Sequence, residues 1–232
     1  MTRPRQRRCS ASGTTHAEID ALVKRNPAKR RSSSCTTGLL PGLDDDLPQS
    51  GSEGRLDLDF QFVMAVAPHV REYREQPERF RLRCGGRVRH YVPDGLAGTV
   101  LGPVYFEVKP KRILARSPDL DGRLDAIRAE CARRDACFEI VTEDHVRAGH
   151  LLPNSIRVWS AAQSAEPERI RHACAALRDV DFPAELGSVV DLLGVEGWRL
   201  AMALVGMRLL AVDLTSQLDA ETVVLRGGKD WA

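Results

Sequence analysis

Apolar residues at Leu56, Phe60, Val63, Met64 and Ala67 fall at i, i+4, i+7, i+8 and i+11, one stripe along a helix, and Pro68 ends it. Val70 to Gln76 then reads as a polar connector. Phe80 to Cys84 and Arg87 to Tyr91 alternate on either side of Gly85-Gly86, a local hairpin signal. Pro93 pushes Val92 toward extended backbone, so the second hairpin strand ends in a rigid turn that presents Asp94. A short glycine-containing turn follows, and Val100 to Val108 returns as a mostly apolar strand. Leu120, Leu124, Ile127 and Cys131 mark a helix, Cys137 to Val141 a short strand, and Thr142 an N-cap with Asp144 and His145 in the first turn. After Trp159 the pattern is helical, with stripes at Ile170, Cys174, Leu177, at Leu186, Val189, Val190, Leu193, and at Trp198, Met202, Val205, Leu209. Thr222 to Leu225 before Gly227-Gly228 reads as a final strand.

Strand, helix and strand with short loops predict a right-handed crossover that lays the Phe138 strand parallel to the Phe106 strand. The hairpin running into that pair gives an α/β chain of the α+β kind, a mixed sheet with helices packed on it. The helices and terminal strand at the end resemble a winged-helix module and equally describe small helical caps. The expected organisation is a basic, flexible N-terminal segment over 1–50, a main domain over 51–160 and a mostly helical domain over 165–232.

Composition changes this picture mainly at the N-terminus. The 232 residues carry a net charge of only +2, yet Arg3, Arg5, Arg7, Arg8, Lys24, Arg25, Lys29, Arg30 and Arg31 crowd the start. Such a run contacts phosphates or is simply a solvated tail. Cys9, Cys35, Cys84, Cys131, Cys137 and Cys174 include no C-x-x-C pair, which argues against a zinc knuckle or ribbon. Scattered thiols without a signal peptide point to a reducing compartment. Arg199 and Arg208 interrupt the best apolar run, so no membrane span is expected and the reading is soluble and cytoplasmic.

The charged exceptions to the apolar pattern are the candidate chemistry. Side chains two apart on a strand share a face, so Glu107 and Lys109 point one way and Phe106 and Val108 the other. With a separately delivered Asp94, they suit a site for a divalent cation and a water; a turn acid and a solvated strand face are the plainer account. Asp57 sits at the margin of the first helical stripe, where it reaches toward a sheet edge or merely favours the helix N-terminus. The hairpin carries Arg81 or Arg83 together with Arg87 and Arg89 on its exposed face, as a basic surface or as protection of an edge. His90, His145 and His150 stand at no ligand spacing.

An acid on a leading helix, Pro93-Asp94 at a strand end and Glu107-Val108-Lys109 on the next strand together resemble the PD-(D/E)XK nucleases. More specifically, residues 53 to about 155 resemble the N-terminal catalytic domain of TnsA, the endonuclease subunit of certain cut-and-paste transposons. The stretches that carry this are Glu53 to Phe60, Val70 to Pro77, Arg89 to Asp94, Phe106 to Pro110 and Phe138 to Glu143. Two positions depart from the family pattern: Asp57 stands where Glu is usual, and Gly95 where a bulky apolar residue follows Pro-Asp, so a packing contact under the turn is expected to be missing.

The resemblance implies a restriction-endonuclease-like fold and hydrolysis of a DNA phosphodiester. Asp94, Glu107 and the carbonyl of Val108 would hold one Mg²⁺, and Asp57 would serve a second ion or its water, with Mn²⁺ able to substitute. Lys109 would position or help deprotonate the attacking water and offset developing charge. Gln76 would orient the leading acid or the substrate, or is a surface turn residue. Arg81, Arg83, Arg87, Arg89, Lys111 and Arg112 are the expected phosphate contacts. The implied partners are DNA, a DDE-type transposase and an AAA+ ATPase regulator, with the cut made at transposon 5′ ends. A stand-alone restriction or repair nuclease, and a catalytically silent DNA-binding or assembly subunit, are the alternatives.

Overall fold

The stripe from Leu56 to Ala67 forms α1, Arg55–Val66, in the computed structural model, which describes residues 38–40, 50–52, 54–116 and 120–228. The segment expected to be flexible over 1–50 lies outside the described residues apart from β1 (Gly38–Leu40) and β2 (Ser50–Ser52), which pair antiparallel. On α1 the buried Leu56, Phe60 and Met64 pack with Ala67 against Val70, Ala97, Phe106 and Val108. Phe60 meets Phe106 edge to face at 5.2 Å.

The stretch read as a polar connector is instead a strand, β3 (Val70–Glu75). It edges the main sheet, so Arg71, Glu72 and Arg74 stay in water while Val70 faces the core. A second strand was hidden in the stretch read as a turn: β6 (Gly95–Thr99) pairs antiparallel with both β3 and β7 (Gly102–Val108). Val100 and Leu101 form the turn between β6 and β7 rather than the start of the returning strand. The main sheet runs β3-β6-β7-β8, with β8 (Cys137–Val141) parallel to β7 as the crossover through α3 (Leu120–Ala132) required.

The hairpin is β4 (Phe80–Cys84) and β5 (Arg87–Tyr91), turning at Gly85 and Gly86 with φ of 55° and 76°, values that glycine adopts without strain. It forms a separate two-stranded sheet, so the antiparallel part of the mixed sheet comes from β3 and β6 and not from the hairpin. Its apolar side, Phe80, Leu82 and Tyr91, packs with Leu124, Ile127 and Cys131 of α3 over Leu96 and Tyr105. Full burial of a residue such as Phe80 or Ile127 contributes on the order of 2 kcal/mol. The sheet is thus covered by α1 on one face and by α3 and the hairpin on the other.

Beyond the sheet come two short helices, α2 (Lys111–Leu114) and α4 (Glu143–Val146). The Thr142 N–H at the start of α4 donates to His145 Nδ1 at 3.1 Å, in keeping with the expected cap. Next is a helix the periodicity did not announce, α5 (Leu151–Gln163). Its buried residues are Asn154, Ser155, Val158 and Ala162, with Leu151 and Trp159 packed beside them, so the helix has an apolar face, but Asn154 and Ser155 interrupt it. Then follow α6 (Pro167–Ala176), β9 (Ala184–Glu185), α7 (Leu186–Leu193), α8 (Gly197–Gly206), β10 (Leu210–Ala211) and β11 (Val223–Arg226), with the three strands ordered β10-β11-β9. Val66 of α1 is buried in the same cluster as Val158, Leu177, Leu186, Leu204 and Val224. Arg208 is buried and donates to the Val70 carbonyl of β3. The C-terminal elements therefore pack directly onto the end of α1 and the sheet edge.

Candidate active site

The site lies where β6 begins and β7 ends. Asp94 is fixed through its backbone: its N–H donates to the Phe106 carbonyl at 2.9 Å, and its own carbonyl accepts the Gln76 N–H at 3.1 Å. Gln76 makes that bond from a left-handed conformation, φ 40°. Of the two sequence readings of Gln76, orienting residue or surface turn residue, the structure puts it at a bend after β3, where its backbone supports Asp94. Asp94 Oδ2 then accepts the Val108 N–H at 2.8 Å. The acid after Pro93 is thereby pinned to the end of β7, one residue from Lys109.

Lys109 Nζ lies 3.2 Å from Asp94 Oδ2, 3.2 Å from Glu107 Oε1 and 3.4 Å from the Val108 carbonyl. Glu107 is buried, and its second oxygen, Oε2, accepts the Tyr91 hydroxyl at 2.5 Å. Burial raises the Glu107 carboxyl above its ordinary value, the negative charge of Asp94 adds to this, and Lys109 and Tyr91 oppose it. Burial pulls the Lys109 ammonium down, but the carboxylates of Asp94 and Glu107 more than reverse that, and it stands above its ordinary value. The two carboxylates thus favour the charged form of Lys109.

On the α1 side of this centre, the phenol end of Tyr73 is desolvated, although the residue as a whole is only partly covered. Burial, followed by the charges of Glu75, Asp94 and Asp57, pushes its phenol well above the ordinary range. Tyr73 also explains Gly95. A Cβ at position 95 would lie 2.4 Å from the Tyr73 hydroxyl oxygen and 2.7 Å from a ring carbon, so the aromatic ring occupies the place where a packing contact was expected to be missing. Gln61, buried one turn beyond Asp57, donates through Nε2 to Glu75, while its Oε1 has no hydrogen-bond partner among the described residues.

Of the residues singled out from sequence, Asp94, Glu107, Val108 and Lys109 thus meet at one point. Asp57 stands on the α1 side beside Tyr73, and among the described residues no group of three or more His, Cys, Asp or Glu is arranged to hold a metal. Arg81, Arg83, Arg87 and Arg89 are all exposed, but the register divides them. Arg81 opposes His90 and Arg83 opposes Val88, whereas Arg89 opposes Leu82 and Arg87 opposes Cys84; directly paired residues share a face, so the two pairs of arginines lie on opposite faces. Lys111 is engaged by α4, its N–H donating to Glu143 Oε2 at 3.0 Å and its ammonium paired with Asp144. Arg112 is exposed.

Tyr91, Tyr73, Glu75 and Gln61 were not singled out. Gln61 had a signal, being at i+4 from Asp57 on the same helix. Tyr73 and Glu75 lay within the Val70 to Pro77 stretch that carries the resemblance, but their strand read as a connector, so neither was given a face.

The oxygens gathered about Lys109 Nζ come from two carboxylates and a carbonyl, hard donors that also suit Mg²⁺. Residues 67–143 match the family model of the TnsA-like endonuclease N terminal. The match spans β3 through β8 with Asp94, Glu107 and Lys109, and leaves out α1 with Asp57 and everything from Asp144 onward. No curated protein matches the chain. Over the matched segment the chain is similar to the TnsA-like endonucleases, which supports a nuclease.

Proposed function

We propose that this chain is a Mg²⁺-dependent DNA endonuclease subunit that cuts the 5′ strand at transposon ends together with a DDE-type transposase and an AAA+ regulator. The observation that carries the reading is the convergence of Asp94 Oδ2, Glu107 Oε1 and the Val108 carbonyl on one positive charge, at 3.2, 3.2 and 3.4 Å from Lys109 Nζ. These oxygens would hold Mg²⁺, which when bound supplies Lewis-acid polarisation of the phosphate and of a bound water. Asp94 is pre-set for this by the Val108 N–H, and Glu107 by Tyr91. With those oxygens given over to the ion, the Lys109 ammonium would leave the point they share and offset the charge that develops on the phosphate oxygens. Asp57 and Tyr73 border the same centre from α1 and β3, with Asp57 serving a second ion or an outer water. Exposed hairpin arginines contact the DNA backbone and set position without reading sequence.

The C-terminal order of α6, β9, α7, α8, β10 and β11 supports a winged-helix module. Yet α8, the helix such a module presents to a groove, is buried from Ala201 to Gly206.

Plasmid nicking with Mg²⁺ and the two partner proteins tests the proposal. Cleavage should be lost in Asp94→Ala and Lys109→Ala; cleavage that survives both substitutions means the assigned centre is wrong. Cutting of linear DNA by the isolated chain would favour a stand-alone nuclease. Asp57 standing where the family pattern has Glu motivates a second reading, a silent DNA-binding subunit. Calorimetry showing no divalent-cation binding, with DNA binding intact, would establish that reading.

A further inference from the structure

Tyr91 contributes nothing to the hairpin that a phenylalanine would not, except its hydroxyl. The ring is buried against Phe80, centroids 5.9 Å apart, and the Arg123 guanidinium lies 5.3 Å from its centroid on the other element that packs there. Held in this way, the hydroxyl is delivered to Glu107 Oε2 at 2.5 Å, across 16 residues of chain. Glu107 is itself buried, so an oxygen without a donor would carry its full desolvation cost. The other oxygen, Oε1, is the one turned to Lys109. One oxygen is tied off and the other is aimed.

We infer that Tyr91 is a positioning residue of the proposed cation site, anchoring Glu107 Oε2 from the hairpin so that Oε1 stays directed at the point shared with Asp94 Oδ2 and the Val108 carbonyl. This rests on the nuclease reading above. A ligand carboxylate is oriented by the group that holds its second oxygen, and loss of such a partner weakens metal affinity by about 10–100-fold. The same link joins the strand that carries Arg87 and Arg89 to the carboxylate, because Tyr91 ends β5.

The test is Mn²⁺ binding to the full chain by titration calorimetry. Tyr91→Phe removes one oxygen and retains the ring against Phe80 and Arg123. It should weaken Mn²⁺ affinity about tenfold or more while leaving DNA affinity in EDTA unchanged. In a Glu107→Gln background the same substitution should change Mn²⁺ affinity less than about twofold, since the coupling acts through Glu107. A second probe is Tyr91→3-fluorotyrosine, which preserves shape and donation; its fluorine resonance should move on saturation with Mg²⁺, and should not move in Glu107→Gln. If Asp94→Ala abolishes Mn²⁺ binding while Tyr91→Phe binds as the native chain does, the positioning role is refuted and the cation site stands. An effect of Tyr91→Phe that persists undiminished in Glu107→Gln also refutes it. If Asp94→Ala binds Mn²⁺ normally, the cation site itself falls, and this inference with it.

Discussion

Gly95→Ala gives a prediction whose sign depends on the tertiary structure. As the sequence reads, Gly95 leaves a contact unfilled, and adding a methyl should help, both by filling space and by reducing unfolded-state freedom, worth about 0.4–1 kcal/mol. The structure reverses this. The added Cβ would lie 2.4 Å from the Tyr73 hydroxyl oxygen and 2.7 and 2.8 Å from ring carbons Cε2 and Cζ. The ring is packed edge to face on Phe60 at 6.0 Å, with the charges of Glu75, Asp94 and Asp57 near its phenol, so moving aside would loosen that packing. Overpacking of this sort costs about 1–3 kcal/mol, which outweighs the entropic gain and leaves a net loss of about 1–2 kcal/mol. In a chain of this length that corresponds to a fall in Tm of roughly 2–8 °C. Thermal and urea unfolding of Gly95→Ala, alone and with Tyr73→Leu, would measure it. The leucine side chain withdraws the ring, so in that background the alanine should become neutral or stabilising. A Gly95→Ala chain as stable as the native one, or an equal loss in both backgrounds, would refute the close approach of Tyr73.

Three further outcomes follow from the same geometry. Because the hairpin arginines lie on opposite faces, Arg81→Ala with Arg83→Ala and Arg87→Ala with Arg89→Ala should differ: one pair should lower the salt dependence of DNA binding by about two phosphate contacts and the other scarcely at all, whereas equal effects would mean both faces touch DNA. Glu107 has its carboxyl raised by burial first and Asp94 second, so the folded chain holds that proton more tightly than the unfolded one. Stability contributed at this residue should then decline as pH rises from the ordinary carboxylate value through the raised one, and the difference between native and Glu107→Gln in metal-free unfolding curves should shift in favour of Gln over that window. Asp59 is 2% exposed and bridges Arg55 and Arg147, which are 70% and 52% exposed. Asp59→Ala frees two cations that water can reach, so its cost should be about 1–3 kcal/mol rather than the 3–5 of a stranded buried charge, as read by urea unfolding.

The strand-helix-strand crossover and the Gly85-Gly86 hairpin were legible because each rests on periodicity and turn chemistry inside a short window. Asp94, Glu107 and Lys109 were legible because charged residues interrupt otherwise apolar or turn-bounded segments. Two strands and a helix were not. The Val70–Glu75 strand is an edge whose charges face water, so it looks like a connector. The Gly95–Thr99 strand is built from Gly, Leu, Ala, Gly and Thr, a composition that signals a turn, and it is a strand because neighbours on both sides supply its hydrogen bonds. The helix Leu151–Gln163 buries Asn154 and Ser155, whose burial is set by what packs on them.

By itself, the sequence determined which faces of most elements are dry, where the chain turns, and that an acid, a second acid and a lysine are delivered near one sheet end. Only the tertiary structure decided that a tyrosine 16 residues away holds Glu107, that an aromatic ring fills the place opened by Gly95, and that the hairpin arginines divide between two faces. Periodicity along a chain reports which side of an element avoids water. It carries no record of which distant group takes water's place, and that choice, made by register and packing, fixes the orientation and charge of Glu107 and Lys109.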